Sequence, residues 1–463
     1  MLGVVMVESI SSRLSEFTYN LRLKDVPGDV VDRVKLHILD TLGIMMATYD
    51  LDDVKKVVNV ARILGGLPES TIIGYGFKVS APNAALANAS MAHSVDYDDT
   101  HLGSGIHQSC TAIPTALAIG ERVNASGKDV LEAVIAAYEV NARLGLSAPW
   151  LFHLRGIHPT SAIGVFGSAL ASGKLMGLSI KQLEWALGIA GSLSSGILQC
   201  IPEGVWVKPM HPGFASHSGI IASLLAREGC RGPLQVFEGR QGLFNAYLKG
   251  DSFNLEEATK GLGERWETLN ISIKPYPTCH ATHSSIDVAL AFRRKYNIKP
   301  EDVEECTYYV PRIALNLVVE PYDEKIKPKT PYAAKFSLPY VVVVALRRGF
   351  VGLWDFTEES ISDPETLRYL PKIKALVDEE YDKYGGSEII PARARIKLKS
   401  GEVYVEEAIN HKGTPKNPLT RDDVVAKFMD NIKKSKYRDV GREVVDKVLS
   451  IEKYSIKEIM EIF

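Results

Sequence analysis

Apolar residues recur at helical spacing over most of the chain. Val30, Val31, Val34, Ile38, Leu39 and Leu42 form one stripe, so residues 9–50 read as helices. Ser9 is placed to cap the first, Pro27 to open the second as its first-turn proline, and Gly43 to end it. Another helix fits 53–65 and stops at Gly65-Gly66. The short extended piece S-T-I-I-G-Y-G precedes the small-residue helix A-P-N-A-A-L-A-N-A-S-M-A. Apolar helices follow over 112–123, 128–146, 162–176 and 216–228, and 179–200 continues the pattern. Strong strand patterns are nearly absent before about residue 265.

The pattern then changes. An extended piece, I-S-I-K-P-Y-P, passes into a helix from about Thr282, and V-E-E-C-T-Y-Y-V-P has strand composition. Residues 392–408 alternate apolar and charged positions on both sides of Ser400-Gly401, which predicts a β-hairpin with a two-residue turn. Residues 420–463 return to charged amphipathic helices. The expected architecture is mainly α: a discontinuous all-helical domain (1–267 and 411–463) with an inserted, smaller α+β lid (268–410). The cleft between the two is the expected active site.

At 463 residues the chain exceeds one ordinary core, in keeping with two domains. A formal net charge of -2 with mixed signs argues against nucleic acid or an anionic membrane as partner. Any positive field must be local. The run 341–346 is too short to span a bilayer. The five cysteines form no C-x-x-C, and their odd number fits a reducing cytoplasm. The apolar first residues lack a basic start and are broken by Glu8, so they read as an N-terminal arm, not a signal peptide.

Candidate chemistry concentrates in M-A-H-S-V-D-Y-D-D-T-H-L-G-S-G-I-H, residues 91–107. Asp96, Asp98, Asp99, Thr100, His93, His101 and His107 crowd there between apolar flanks. Groups that give and take protons near neutrality are what general acid–base catalysis needs. The bland alternative is a polar loop capping two helices. Asp/His mixtures also suit divalent cations, but no H-E-x-x-H or similar spacing is present, so no metal is expected.

Three histidines, His107, His158 and His211, each stand just before a run of small and apolar residues, about fifty residues apart. Helix N-termini attract anions, so several converging would receive a substrate with several carboxylates. Lys208 in V-W-V-K-P-M-H-P-G and Lys274 in I-S-I-K-P-Y-P lie among apolar residues and prolines. There, partial burial would fix a positive charge or lower the lysine pKa. Arg143 is a further candidate for binding substrate, on the polar side of the 128–146 helix with Glu139.

The segments I-L-D-T-L-G, H-S-V-D-Y-D-D-T-H, G-I-H-P-T-S-A-I-G, V-K-P-M-H-P-G-F-A-S-H-S-G, G-R-Q-G-L-F, I-K-P-Y-P-T-C-H-A-T-H-S-S-I-D and A-K-F-S-L-P-Y fall in order over roughly residues 30 to 345. Together they resemble the MmgE/PrpD family, which includes 2-methylcitrate dehydratase, cis-aconitate decarboxylase and iminodisuccinate epimerase. The resemblance implies a homodimer without a required cofactor. It places the substrate site on Asp96, Thr100, His107, His158, Lys208 and Lys274, with His280 or His283 as the lid histidine. The expected function is a cofactor-free lyase for a small di- or tricarboxylate, foremost a dehydratase acting on 2-methylcitrate, in propionate metabolism. Lys208 and Lys274 would hold carboxylates, His107 and His158 would protonate the leaving hydroxyl, and Asp96 would tune His107. Decarboxylation or epimerisation by the same groups is the alternative. A non-catalytic polycarboxylate-binding protein is the alternative from another class.

Overall fold

The computed structural model describes residues 8–384 and 389–463. Of the expected N-terminal arm, residues 1–10, the first seven lie outside them, and Ser9 and Ile10 already belong to the start of the first helix. The described residues divide into two compact units, one of residues 8–94, 98–271 and 421–463, the other of 95–97, 272–384 and 389–420. The fold is mainly α, with a smaller α+β unit inserted.

The larger unit is helical. Its centre uses small residues to bring backbones close. Every residue of the Ala81–Ala92 helix is buried, as are Gly164 to Gly173 of the Gly164–Leu175 helix. The Met210–Arg227 helix packs on both. A Cβ on Gly213 would lie 2.6 Å from the Leu86 carbonyl oxygen, and one on Gly219 would lie 2.7 Å from that of Val165. These positions therefore exclude a side chain.

Ser9 caps the Ile10–Asn20 helix by accepting from the Ser12 N–H. Pro27 stands at the cap position of the Gly28–Thr48 helix, one residue earlier than expected. Gly43 does not end that helix, which continues five residues beyond it to Thr48. The glycine instead makes room for the Phe428 ring, whose Cδ2 would lie 2.7 Å from a Cβ there.

The C-terminal helices return to this unit through backbone bonds. Gly127 N–H donates to the Tyr454 carbonyl at 2.8 Å, and Ile456 N–H to that of Ala125 at 2.9 Å. A Cβ on Gly127 would stand 1.9 Å from the Ile451 carbonyl oxygen. Gly127→Ala is therefore expected to destabilise the protein by about 1–3 kcal/mol, as overpacking does. A thermal melt checks this, and an unchanged Tm would show that the contact yields freely.

The smaller unit carries a four-stranded sheet in the order Ile373–Val377, Val303–Val310, Ala392–Leu398, Val403–Ala408. The first pair is parallel and the others antiparallel. Alternate residues of Ala392–Leu398 are buried, in line with the pattern read from the sequence. The hairpin turn differs from the two-residue expectation. Gly401 N–H donates to the Leu398 carbonyl and Leu398 N–H to that of Glu402, which leaves a three-residue loop. Gly401 at φ 94° supplies the left-handed residue that such a loop requires. The His283–Tyr296 and Leu338–Arg348 helices pack together beside the sheet, and the 341–346 run is helical core.

Candidate active site

In the larger unit the all-buried Ala81–Ala92 helix delivers His93 at its C-terminal cap. His93 Nδ1 stands 2.9 and 2.8 Å from the two oxygens of Asp98, and both residues are buried. A carboxylate accepts, so Nδ1 carries the proton and Nε2 is left as the basic atom. His93 Nε2 is buried without a hydrogen-bond partner.

The Ser109–Val123 helix places His107 just before its start. The His107 Nδ1 lies 2.9 Å from the Asp99 carbonyl oxygen, 3.3 Å from Thr100 Oγ1 and 3.4 Å from Asp98 Oδ2. A carbonyl also only accepts, so this ring too keeps its proton on Nδ1. The Thr160 hydroxyl accepts from the His107 backbone N–H at 3.1 Å. That bond draws the G-I-H-P-T-S segment alongside, and His158 caps the short Pro159–Ala162 turn.

The rings converge. Centroids lie 4.6 Å apart for His93 and His107, 5.6 Å for His93 and His158, and 6.2 Å for His107 and His158. His211 meets His158 through their Nδ1 atoms at 3.1 Å. It is the second residue of the Met210–Arg227 helix and not a residue ahead of it.

Burial and the Lys208 charge push His158 well below the usual imidazole range. His158 is therefore neutral near pH 7. A ring in that state could protonate a leaving hydroxyl only as a neutral N–H donor, not as an imidazolium. Burial also lowers His211 to about 4, with help from His93 and Lys208, and His153 to about 4, with help from Lys208. Unfolded, these rings take up protons near pH 6.5; folded, they resist to about pH 4. Between those values the unfolded state binds more protons. Stability is therefore expected to be complete above about pH 6.5 and to fall as pH drops toward 4. Denaturant midpoints across that range check this, and a flat profile would show the rings to be solvated.

Lys208 is 9 % exposed, in a turn before the Met210–Arg227 helix and not in an extended piece. Asp96 meets a lysine. Its carboxylate meets the Lys274 Nζ at 3.1 Å, its carbonyl accepts from the same Nζ at 2.9 Å, and Asp98 is the acid at the histidine. The reason is local: Asp96 adopts φ 55°, a left-handed turn that gives it and Asp98 different partners. Lys274 is 2 % exposed and belongs with Asp96 to the smaller unit. There Lys335, which the sequence did not single out, is buried, donates to the Pro277 carbonyl and is lowered to about 7 by burial. His280 and His283 lie in the same unit with rings 4.5 Å apart.

Arg143 is not placed to bind substrate. Its helix face is buried, not solvated, and its guanidinium is spent on protein. Nη1 meets Glu139 Oε2 at 2.5 Å, and the carbonyls of Lys260, Gly261 and Arg265 accept from Nε and Nη2. His93 and Asp98 are a candidate pair that the sequence reading did not rank. They stand five positions apart, and the chain turns at Asp96, between them.

Among the described residues, no helix is long and apolar enough to cross a membrane. Residues 12–256 match the MmgE/PrpD N-terminal domain, and residues 276–450 match the MmgE/PrpD C-terminal domain. The chain is 27% identical to cis-aconitate decarboxylase of Mus musculus, over 97% of this chain and 92% of that protein. To the Homo sapiens protein of the same name it is 26% identical, over 97% and 93%. Mitochondrial 2-methylcitrate dehydratase of Yarrowia lipolytica is 22% identical, over 82% of this chain and 75% of its own length. With both domain models matched in order and the first covering more than half of the residues, the chain belongs to the MmgE/PrpD family.

Proposed function

We propose that this chain is a lyase for a small di- or tricarboxylate whose proton transfers run through His93, His107 and His158. The observation that carries the reading is the convergence of those rings, one of them held by a buried carboxylate. His93, aligned by Asp98, is the base; His107 exchanges a proton with substrate; neutral His158 donates to developing negative charge. Lys208 and Lys274 hold carboxylates, with Thr100 and the histidines His280 and His283 as further substrate contacts.

Decarboxylation of a cis-aconitate-like acid ranks ahead of dehydration of 2-methylcitrate. The decarboxylase relatives are more similar and match over more of the chain. Incubating purified protein with cis-aconitate, citrate and 2-methylcitrate, following CO2 and alkene absorbance, decides between them. Turnover of none of these acids would leave a polycarboxylate-binding protein. We further propose a homodimer in a reducing cytoplasm. Exposed Leu154, Ile197, Ile201 and Val205 motivate the dimer, and light scattering tests it.

A second reading has its own observation: one nitrogen from each of His93, His107 and His158 lies within 4.8 Å of the others, close enough to share a cation. The acid–base reading expects activity to survive dialysis against EDTA. Loss on dialysis with recovery on adding a divalent ion would replace it by a metal-assisted mechanism.

Lys274→Ala is expected to lower kcat/KM by the worth of a charge-assisted contact, about 1.5–3 kcal/mol. It also removes the ion-pair partner of the buried Asp96 carboxylate, so Tm should fall. Removing both charges in Lys274→Ala/Asp96→Ala should restore much of the stability and none of the activity. Full activity in either variant would leave Lys274 a purely structural partner.

A further inference from the structure

We propose that Asp99 is a positioning residue that acts through His107: its side chain, gripped by Ser109 and His37, holds its own carbonyl where that oxygen keeps the His107 proton on Nδ1. The inference rests on the reading of His107 as a proton-exchanging group and adds a residue behind it.

The two polar groups of Asp99 have separate partners. Its carbonyl oxygen lies 2.9 Å from His107 Nδ1. Its carboxylate turns to the helices. Oδ1 accepts from the Ser109 N–H at 3.0 Å, at the start of the Ser109–Val123 helix, where negative charge is favoured. Oδ2 accepts from the Ser109 hydroxyl and lies 2.6 Å from His37 Nδ1. The same Ser109 hydroxyl meets that of Tyr138. Asp99, Ser109, His37 and Tyr138 are all buried.

Proton counting gives each bond its direction. A carboxylate only accepts, so Ser109 gives its one hydroxyl proton to Asp99, and Tyr138 must donate to Ser109. His37 presents Nδ1–H for the same reason. Burial lowers His37 below the usual imidazole range and raises the Tyr138 phenol well above its own, so both stay neutral near pH 7. Asp99 is thus the acceptor on which these protons converge. They come from three helices: His37 from Gly28–Thr48, Ser109 from Ser109–Val123 and Tyr138 from Gly127–Leu146. A fourth helix, Arg421–Ile432, brings Lys427, which pairs with Asp40 at 2.7 Å and acts electrostatically on Asp98 and Asp99.

A carboxylate held from several sides in a buried place cannot turn without stranding its donors. The carbonyl of the same residue is fixed with it. At His107 Nδ1 that carbonyl is nearer than Thr100 Oγ1 at 3.3 Å or Asp98 Oδ2 at 3.4 Å, and Asp98 already serves His93. The bond at one ring nitrogen decides which nitrogen keeps the proton. Released from the Asp99 carbonyl, His107 can carry its proton on Nε2 and offer a donor where the chemistry needs a lone pair.

The test reads the ring directly. Nitrogen NMR of histidine-labelled full-length protein distinguishes the two tautomers, and His107→Gln assigns the signal. In wild type, at a pH where the rings are neutral, His107 and His37 are both expected as Nδ1–H. Asp99→Asn sets an amide N–H against the His37 N–H. It should move His107 toward the Nε2–H form and lower kcat on cis-aconitate at least about tenfold, with KM within about twofold. Ser109→Ala keeps the backbone N–H, loses the hydroxyl, and should act in the same direction but less. A tautomer change in a protein that turns over none of the acids still supports the positioning role, because the spectrum needs no turnover. Wild-type His107 in the Nε2–H form overturns the proposal. So does an unchanged tautomer in Asp99→Asn, or in Ser109→Ala where Asp99→Asn does not fold. A kinetic loss confined to KM overturns it as well.

Discussion

Replacing His107 with Gln is expected to lower kcat by at least about a hundredfold, near 2.7 kcal/mol of barrier, while substrate binding changes far less. The ring's Nδ1–H is held by the Asp99 carbonyl, so its proton traffic passes through Nε2. Gln can copy one hydrogen bond of that ring, but it cannot titrate. Carboxylate binding is proposed to rest on other residues, so calorimetric affinity should survive in the variant. Asp98→Asn should also slow turnover, because it weakens the acceptor that aligns His93 and lies 3.4 Å from His107. Asp96→Asn should act differently, through Lys274. Near-wild-type turnover in His107→Gln would remove this residue from the chemistry. Equal losses of binding and turnover would make it an anion-holding group.

Arg143→Ala is expected to cost about 3–5 kcal/mol of stability, the usual consequence of breaking a buried ion pair from one side. The Glu139 carboxylate would lose its cation while still accepting from the Thr268 N–H and hydroxyl and from the Glu267 N–H. The carbonyls of Lys260, Gly261 and Arg265 would lose their donor as well. The loop around residues 260–268 would then come away from the Gly127–Leu146 helix. A drop in Tm of at least about 5 °C is expected. Arg143→Lys should rescue only part of it, since an ammonium cannot span carbonyls that a planar fork reaches together. An unchanged Tm with abolished turnover would instead return Arg143 to the substrate site.

The sequence made the helices legible because their start and stop signals act locally. Ser9 capping Ile10–Asn20 and Gly65 ending Asp52–Leu64 need only the neighbouring residues. Gly43 shows where local reading fails: a helix-stop residue by its own chemistry, it is a packing surface for Phe428, nearly four hundred residues on.

What the sequence determined by itself is the division into helical and α+β parts, the family resemblance, and the stretch holding the candidate chemistry. Periodicity, composition and motif order are properties of neighbours along the chain. Only the tertiary structure decided which acid serves which base. One left-handed residue sends Asp96 to Lys274 and Asp98 to His93 and His107. Long-range burial turned Arg143 from a candidate ligand into a structural clamp and left His158 neutral. It also brought His411 to His280 and His283. Partner choice and pKa follow from distance and desolvation, and neither is fixed until remote segments pack.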